Sequence, residues 1–455
     1  MSRVYLWGIS VVAALGGLLF GYDWVVIGGA KPFYEKFFAL TDPALQGWAM
    51  SCSLIGCLIG ALASGPASDR WGRKHLLIVS ALLFALSSVA TALASSFALF
   101  VAWRIVGGLA IGLASSLSPL YIAEIAPADV RGRLVGLNQF TIVIGILMAQ
   151  VCNWLIAEPV AANASNEQIL HSWNGQFGWR WMFAATAVPS LIFVVSSFFI
   201  PESPRWLVQK RKVREALAVL QKISGGPQAQ IQITAIESTL KKDSSEVKWR
   251  ELFEPKVLPV LIVGLVLAVF QQWCGINVIF NYAEEIFAGA GYSVSDILFN
   301  IVITGAVNVV FSLLALSLVD KVGRRPLMLW GSAGLCVLYV AIGICYAQHI
   351  HGWAVLVLVL AAIACYATTL APVTWVLISE IFPNRIRGLA MSLAVGGLWV
   401  ACFILTFTFP ILNRLLGAAG TFWIYALICA AGFIFIRLNL VETKGQTLEQ
   451  IEQGH

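Results

Sequence analysis

Residues 326–378 contain no Asp, Glu, Lys or Arg. A run of that length exceeds one membrane crossing, because roughly 20 residues of helix span a bilayer core. Shorter charge-free runs occur at 76–100, 105–123, 181–201 and 257–283. Backbone polar groups in lipid must be satisfied within their own segment, so such runs read as membrane-spanning helices. Composition points the same way. Of 455 residues, 59% are hydrophobic and 11% charged, whereas a soluble domain carries about 25% charged residues to cover its surface.

The formal net charge of +6 does not mark a nucleic-acid binder, because the basic residues lie in short clusters between apolar runs. They fall at Arg70/Arg73/Lys74, Arg131/Arg133, Arg205 to Lys256, Lys321/Arg324/Arg325, Arg385/Arg387 and Arg437/Lys444, after every second span. The positive-inside rule then predicts twelve spans with both termini cytoplasmic, and the expected location is the cytoplasmic (inner) membrane. The first span follows Arg3 without a convincing cleavage site and reads as a retained helix. The nine cysteines all lie in apolar segments without metal or disulfide spacing. They read as small core residues. An Asn-Ala-Ser sequon at Asn163 falls in a predicted outer loop and carries little weight.

The predicted spans are 5–29, 45–66, 76–95, 98–122, 133–157, 180–200, 257–287, 296–318, 326–347, 353–379, 388–412 and 417–437. The polar segment 201–256 places Leu217, Leu220 and Ile223 at helical spacing and reads as a linker of short amphipathic helices on the cytoplasmic face. The expected organisation is thus an all-α integral membrane protein. It has six-helix bundles at 1–200 and 257–437, the linker 201–256, and a tail at 438–455. The halves repeat one another. GPASDRWGRK (65–74) recurs as LVDKVGRR (318–325), and EIAPADVRG (124–132) as EIFPNRIRG (380–388), at nearly one offset. Parallel repeats of this kind place a substrate site near the midplane, between halves that rock.

Two charges are hard to explain by packing. Asp23 lies near the predicted outer end of span one and Arg104 near the outer start of span four. At about 1.5 Å per residue both sit ~9–10 Å below the outer surface, a matched depth that permits pairing. An intramembrane charge is expensive unless it is paired or functional. A static ion pair between helices one and four is one reading. The other is a protonatable carboxylate whose protonation releases the arginine and loosens the bundle.

Span seven carries Gln271, Gln272 and Asn277 within QQWCGIN. Amides at that depth must either bond neighbouring helices or face a polar cavity. Asn308 in span eight and Trp399 in span eleven approach the same level, and span ten supplies Tyr366, Pro372 and Trp375. Amides beside aromatic faces suit a neutral polyhydroxylated ligand better than an ion. On the cytoplasmic side, Asp69, Arg70, Arg73, Glu124 and Arg131 are mirrored by Asp320, Arg324, Glu380 and Arg387. They are either solvated positive-inside charge or salt bridges that lock the cytoplasmic ends when the site faces out.

GGLLFGYD (16–23), WRIVGGLAIG (103–112), YIAEIAP (121–127), PESPRW (201–206), FQQWCGIN (270–277), DKVGRR and APVTWVLISEIFPNRIRG (371–388) resemble the sugar porter family of the major facilitator superfamily over nearly the whole chain. The resemblance is nearest to bacterial proton-linked xylose and hexose symporters. It implies the twelve-helix major facilitator fold and symport of a monosaccharide with a proton by a single chain, without cofactor or metal. Asp23 would be the coupling carboxylate and Arg104 its partner. Phe20, Gln271, Gln272, Asn277, Asn308, Tyr366, Trp375 and Trp399 would line the sugar site.

The chain departs from the family pattern in several places. Ile146 stands for a fifth-span glutamine, with Gln150 a turn away, and Leu398 for a glutamine before the span-eleven tryptophan. Asn281 replaces a tyrosine, Thr186 an acidic residue of span six, and VETKG (441–445) stands for PETKG. A uniporter of the same fold remains the alternative, argued against by Asp23. A drug/proton antiporter would carry a proline-rich fifth span, which GLNQFTIVIGILMAQ (136–150) lacks. No paired catalytic carboxylates, metal-binding His set or nucleophile elbow points to an enzyme.

Overall fold

The computed structural model describes residues 3–127, 130–161, 164–242, 249–255, 257–350, 352–383 and 386–442. The Asn163 sequon, the Asp320 side chain, Arg385 and the tail from 443 lie outside this set. The first six crossings are α1 (Arg3–Phe37), α2 (Pro43–Trp71), α3 (Arg73–Ala92), α4 (Phe97–Ile125), α5 (Arg131–Ile156) and a segmented sixth. After the short α6 (Asn166–His171), that sixth crossing opens with a π turn (Asn174–Gly178) and continues as α7 (Trp179–Ala185) and α8 (Ala187–Ser197). It therefore begins one to two turns earlier than the sequence pattern predicts.

The linker folds as α9 (Pro204–Gln209), α10 (Val213–Ser224) and α11 (Gly226–Lys242). Its apolar stripe makes a small core of Leu207, Val208, Ala216, Leu220, Ala229 and Ile233, the expected result for amphipathic helices too short to stand alone. A 3₁₀ turn (Trp249–Phe253) leads into the second half.

There, crossing seven is broken into α12 (Leu258–Trp273), α13 (Ile276–Asn281) and α14 (Ala283–Gly289). α15 (Val294–Val322) and α16 (Arg324–Ala347) are continuous, and crossing ten is split into α17 (Trp353–Thr368) and α18 (Leu370–Ile381). The last element, α19 (Arg387–Asn439), holds two crossings joined at Gly417, whose φ of 70° and ψ of 172° are non-helical. Among the described residues, eleven helices are long and apolar enough to span a membrane; dividing α19 at Gly417 gives the twelve crossings predicted.

The chain forms two compact units. The first comprises Met1–Trp24, Ile55–Ala149 and Arg180–Glu246, the second Val25–Leu54, Gln150–Trp179 and Val247–His455. In the first unit α1 and α5 cross so closely that a Cβ on Gly21 would strike the Ile142 carbonyl, and one on Gly145 the Leu18 carbonyl. Thr141 Oγ1 donates to the Ala14 carbonyl at 2.8 Å in the same crossing. Small residues and hydroxyls bring membrane helices together in this way, since lipid supplies no hydrophobic drive between them.

In the second unit the last third of α1 and the start of α2 pack on second-half helices. A Cβ on Gly28 would meet the Phe280 and Asn281 carbonyls, and one on Gly47 the Phe407 carbonyl. Asn153 of α5 donates to the Val26 carbonyl at 3.0 Å.

Candidate functional site

Asp23 and Arg104 meet in the first unit. Arg104 Nη1 lies 2.9 Å from both carboxylate oxygens of Asp23. The two residues are 4% and 3% exposed, so the pair is desolvated on both sides. The guanidinium also lies over the Phe183 ring, 5.5 Å from its centroid. The two charges that the sequence places at matched positions in spans one and four are thus in contact. α1 continues to Phe37, eight residues beyond the predicted end of span one. Thr186, in the position where the family pattern has an acidic side chain, is fully buried. Its hydroxyl accepts and donates no hydrogen bond among the described residues. Phe20 is half-buried and packs edge-on to Trp24, ring centroids 5.9 Å apart.

The amides of crossing seven form a directional chain in the second unit. Asn277 Nδ2 donates to Gln272 Oε1, Gln272 Nε2 donates to Gln271 Oε1, and Gln271 Nε2 donates to the Tyr366 hydroxyl at 2.6 Å. The relay bridges two broken helices. Crossing seven is interrupted between Gln272 and Asn277 at Gly275, which takes a left-handed φ of 88°. Crossing ten is interrupted at Thr369, with φ −124° and ψ −86°, three residues after Tyr366 and three before Pro372, whose missing N–H cannot close the helix. Irregular backbone at membrane depth is tolerated where it lines a polar cavity, and transporter sites are built at such breaks.

Asn308 and Trp399 are buried on α15 and α19, at 6% and 4% exposure, while Trp375 on α18 is 37% exposed. Asn308 joins no hydrogen bond of the relay. Of the departing residues, Ile146, Leu398 and Asn281 are all buried.

The charge clusters near the α2–α3 and α15–α16 junctions are organised within each half. Arg73, 6% exposed, makes a bidentate pair with Glu124 at 3.0 and 3.1 Å and a second contact with the exposed Asp69 at 3.1 Å. Arg324 pairs with Glu380 at 3.1 Å. Arg131 and Arg387 instead donate to main-chain carbonyls, of Ala126 at 3.3 Å and of Phe382 at 3.0 Å. Arg70 lies against its neighbour Trp71, 5.4 Å from the ring centroid.

Two organising residues escape the sequence reading. Glu202 of PESPR accepts the main-chain N–H of Arg73 and Lys74, and Glu442 of VETKG accepts those of Arg324 and Arg325 at 3.0 Å each. Each carboxylate thus satisfies the orphan donors at a helix N-terminus and complements its dipole. Gly72 and Gly323, at φ 96° and 108°, admit the approach; a Cβ at either would run into the glutamate. The signal was present as a repeat, since each glutamate closes a six-helix half, but the motifs share too few letters to be matched.

Over residues 9–454 the chain matches the family described as Sugar (and other) transporter. It is 39% identical to the glucose transport protein of Synechocystis sp. over 456 residues, covering 97% of this chain and 96% of that protein. It is 37% identical to the D-xylose-proton symporter of Escherichia coli over 479 residues, covering 98% and 95%. The arabinose-proton symporter of Bacillus subtilis is 39% identical over 446 residues, covering 98% and 94%. Among solved structures, the inward-open xylose transporter of Escherichia coli superposes with a TM-score of 0.86 at 36% identity, covering 99% of each chain. The same protein's proton:xylose symporter structure with 6-bromo-6-deoxy-D-glucose gives 0.81 at 36% identity, covering 100% and 99%. The chain is a member of the sugar porter family of the major facilitator superfamily, a multi-pass membrane transporter and not an enzyme.

Proposed function

We propose that this protein carries a monosaccharide, a pentose or hexose, into the cell together with a proton, by alternating access of two six-helix bundles at 1–200 and 257–437 linked through 201–256. The observation that carries the proposal is the desolvated Asp23–Arg104 pair. Such a pair is costly to build and costly to break unless the carboxylate is first neutralised. Protonation of Asp23 frees Arg104, so a proton becomes a condition for reorientation. The relatives named proton symporters for xylose and arabinose support the coupling.

Gln271, Gln272, Asn277 and Tyr366 offer a sugar both donors and acceptors, and Phe20, Trp375 and Trp399 offer aromatic faces. Asn308 completes the set. Asp69, Arg70, Arg73, Glu124 and Arg131, with Asp320, Arg324, Glu380 and Arg387, form the cytoplasmic gate. Both termini are cytoplasmic, and the protein works as a monomer in the inner membrane.

A uniporter is the second reading, favoured by Thr186 where an acidic residue is the family pattern, and by a relative named only for glucose transport. Uptake of a radiolabelled monosaccharide panel into proteoliposomes, with and without a pH gradient, decides between them. Accumulation driven by an inward proton gradient is the expected result. Equilibration without accumulation establishes the uniporter, and no uptake of any monosaccharide refutes both.

A further inference from the structure

The end of α1 carries a buried cation that neither the sugar site nor the proton pair uses. Lys31 is 2% exposed and faces three carboxylates. Glu35 lies one turn along α1 at 3.1 Å, and Glu284 of α14 at 3.7 Å. Glu285 of α14 makes the closest contact of the three. The ammonium also lies 5.7 Å from the centroid of the Tyr282 ring, at the α13–α14 joint. Among the described residues, charged or polar groups nearby include Lys36 on α1, Gln46 of α2, whose amide reaches Glu35 at 3.5 Å, and Asn413 and Thr421 of α19, which line a small cavity with Glu285. The cluster sits one turn beyond the tight crossing of Gly28 on the Phe280 and Asn281 carbonyls.

α14 is a short segment between two interruptions, with Tyr282 at φ −120° and ψ 28° on one side and Gly291 at φ 86° on the other. A piece joined in this way can swing as a body. Buried ion pairs suit a contact that opens, because parting the helices returns the charges to water and offsets the lost attraction. An apolar seal has no such compensation. We infer that Lys31 and Glu285 form an ionic latch that holds the end of α1 against α14 and closes the transporter at that end of the two helices. Lys31 is thus a positioning residue for the transport cycle and touches no substrate. The inference deepens the transport function proposed above and rests on it for its role in the cycle.

The test places a cysteine at Asn281, a 5% exposed residue in the latched crossing. The rate of its labelling by a bulky maleimide is then read in purified, detergent-solubilised, full-length protein without sugar, over the background of the native thiols. Removing one partner of a buried pair leaves the others uncompensated, so Lys31→Met is expected to raise the rate about tenfold or more. Lys31→Arg should stay near the parent rate. Lys31→Glu combined with Glu285→Lys should return toward it, which loss of packing alone would not produce. If Lys31→Met does not give monodisperse protein, Glu285→Gln reads the same contact with a smaller rise. Unchanged rates in both variants, or a charge swap that fails to restore slow labelling, overturn the latch. The assay needs no transport, so failure of monosaccharide uptake would remove the proposed substrate and leave the latch result standing.

Discussion

Replacing Asp23 with asparagine isolates the charge from the shape of the site. Arg104 Nη1 donates to both Asp23 oxygens at 2.9 Å; in Asp23→Asn one carbonyl oxygen remains to accept and the negative charge is gone. Hydrogen bonds to charged groups contribute about 1.5–3 kcal/mol each, so losing one of two and weakening the other costs roughly 2–3 kcal/mol in the paired state. Asp23→Ala removes both bonds from a guanidinium that is 3% exposed, at a cost of about 3–5 kcal/mol. Thermal unfolding in detergent should therefore rank wild type above Asp23→Asn and Asp23→Ala lowest. Transport should rank differently. Asp23→Asn mimics the permanently protonated carboxyl, so it should bind sugar and exchange labelled for unlabelled sugar across the membrane. It should not concentrate sugar at any external pH. Accumulation and counterflow measured in the same vesicles separate these functions. Accumulation by Asp23→Asn under a pH gradient would refute the coupling role and leave the pair as a structural brace.

Three further outcomes follow from the geometry. Gln271→Ala cuts the amide relay between Gln272 and Tyr366 and strands buried polar groups at about 1–3 kcal/mol each. Sugar affinity by calorimetry should therefore fall at least about tenfold with the protein still folded, Trp375→Ala should act similarly, and unchanged affinity in both would remove these residues from the site. Glu124→Ala leaves buried Arg73 without its bidentate partner, and should lower stability by about 3–5 kcal/mol, while Asp69→Ala, at an exposed carboxylate, should cost under about 1 kcal/mol. Glu202→Ala and Glu442→Ala each uncap a helix N-terminus, with an expected loss of about 1–2 kcal/mol and faster amide exchange at residues 73–74 or 324–325; unchanged exchange would show that water replaces the carboxylate.

The sequence alone determined the crossings and marked Asp23 and Arg104 as two intramembrane charges in need of partners, because lipid penalises charge and unpaired backbone so strongly that few arrangements survive. It also marked the amides of crossing seven as groups needing partners. Tertiary structure decided which partners they take. Gln271 meets Tyr366 only because crossings seven and ten are both broken at that level, and backbone breaks depend on what packs beside them.

The length of α1 was likewise not a local property. Read locally, Lys31 to Phe37 is a polar end after an apolar run, and the predicted span stops at 29. In the structure the helix continues because Lys31 finds Glu284 and Glu285 about 250 residues away along the chain, where desolvating an ammonium is offset by those carboxylates. Glu202 and Glu442 act on helices that begin more than a hundred residues earlier. Hydropathy and spacing register where a charge cannot be left alone; only the folded chain, by bringing distant segments within a few ångströms, selects the group that answers it.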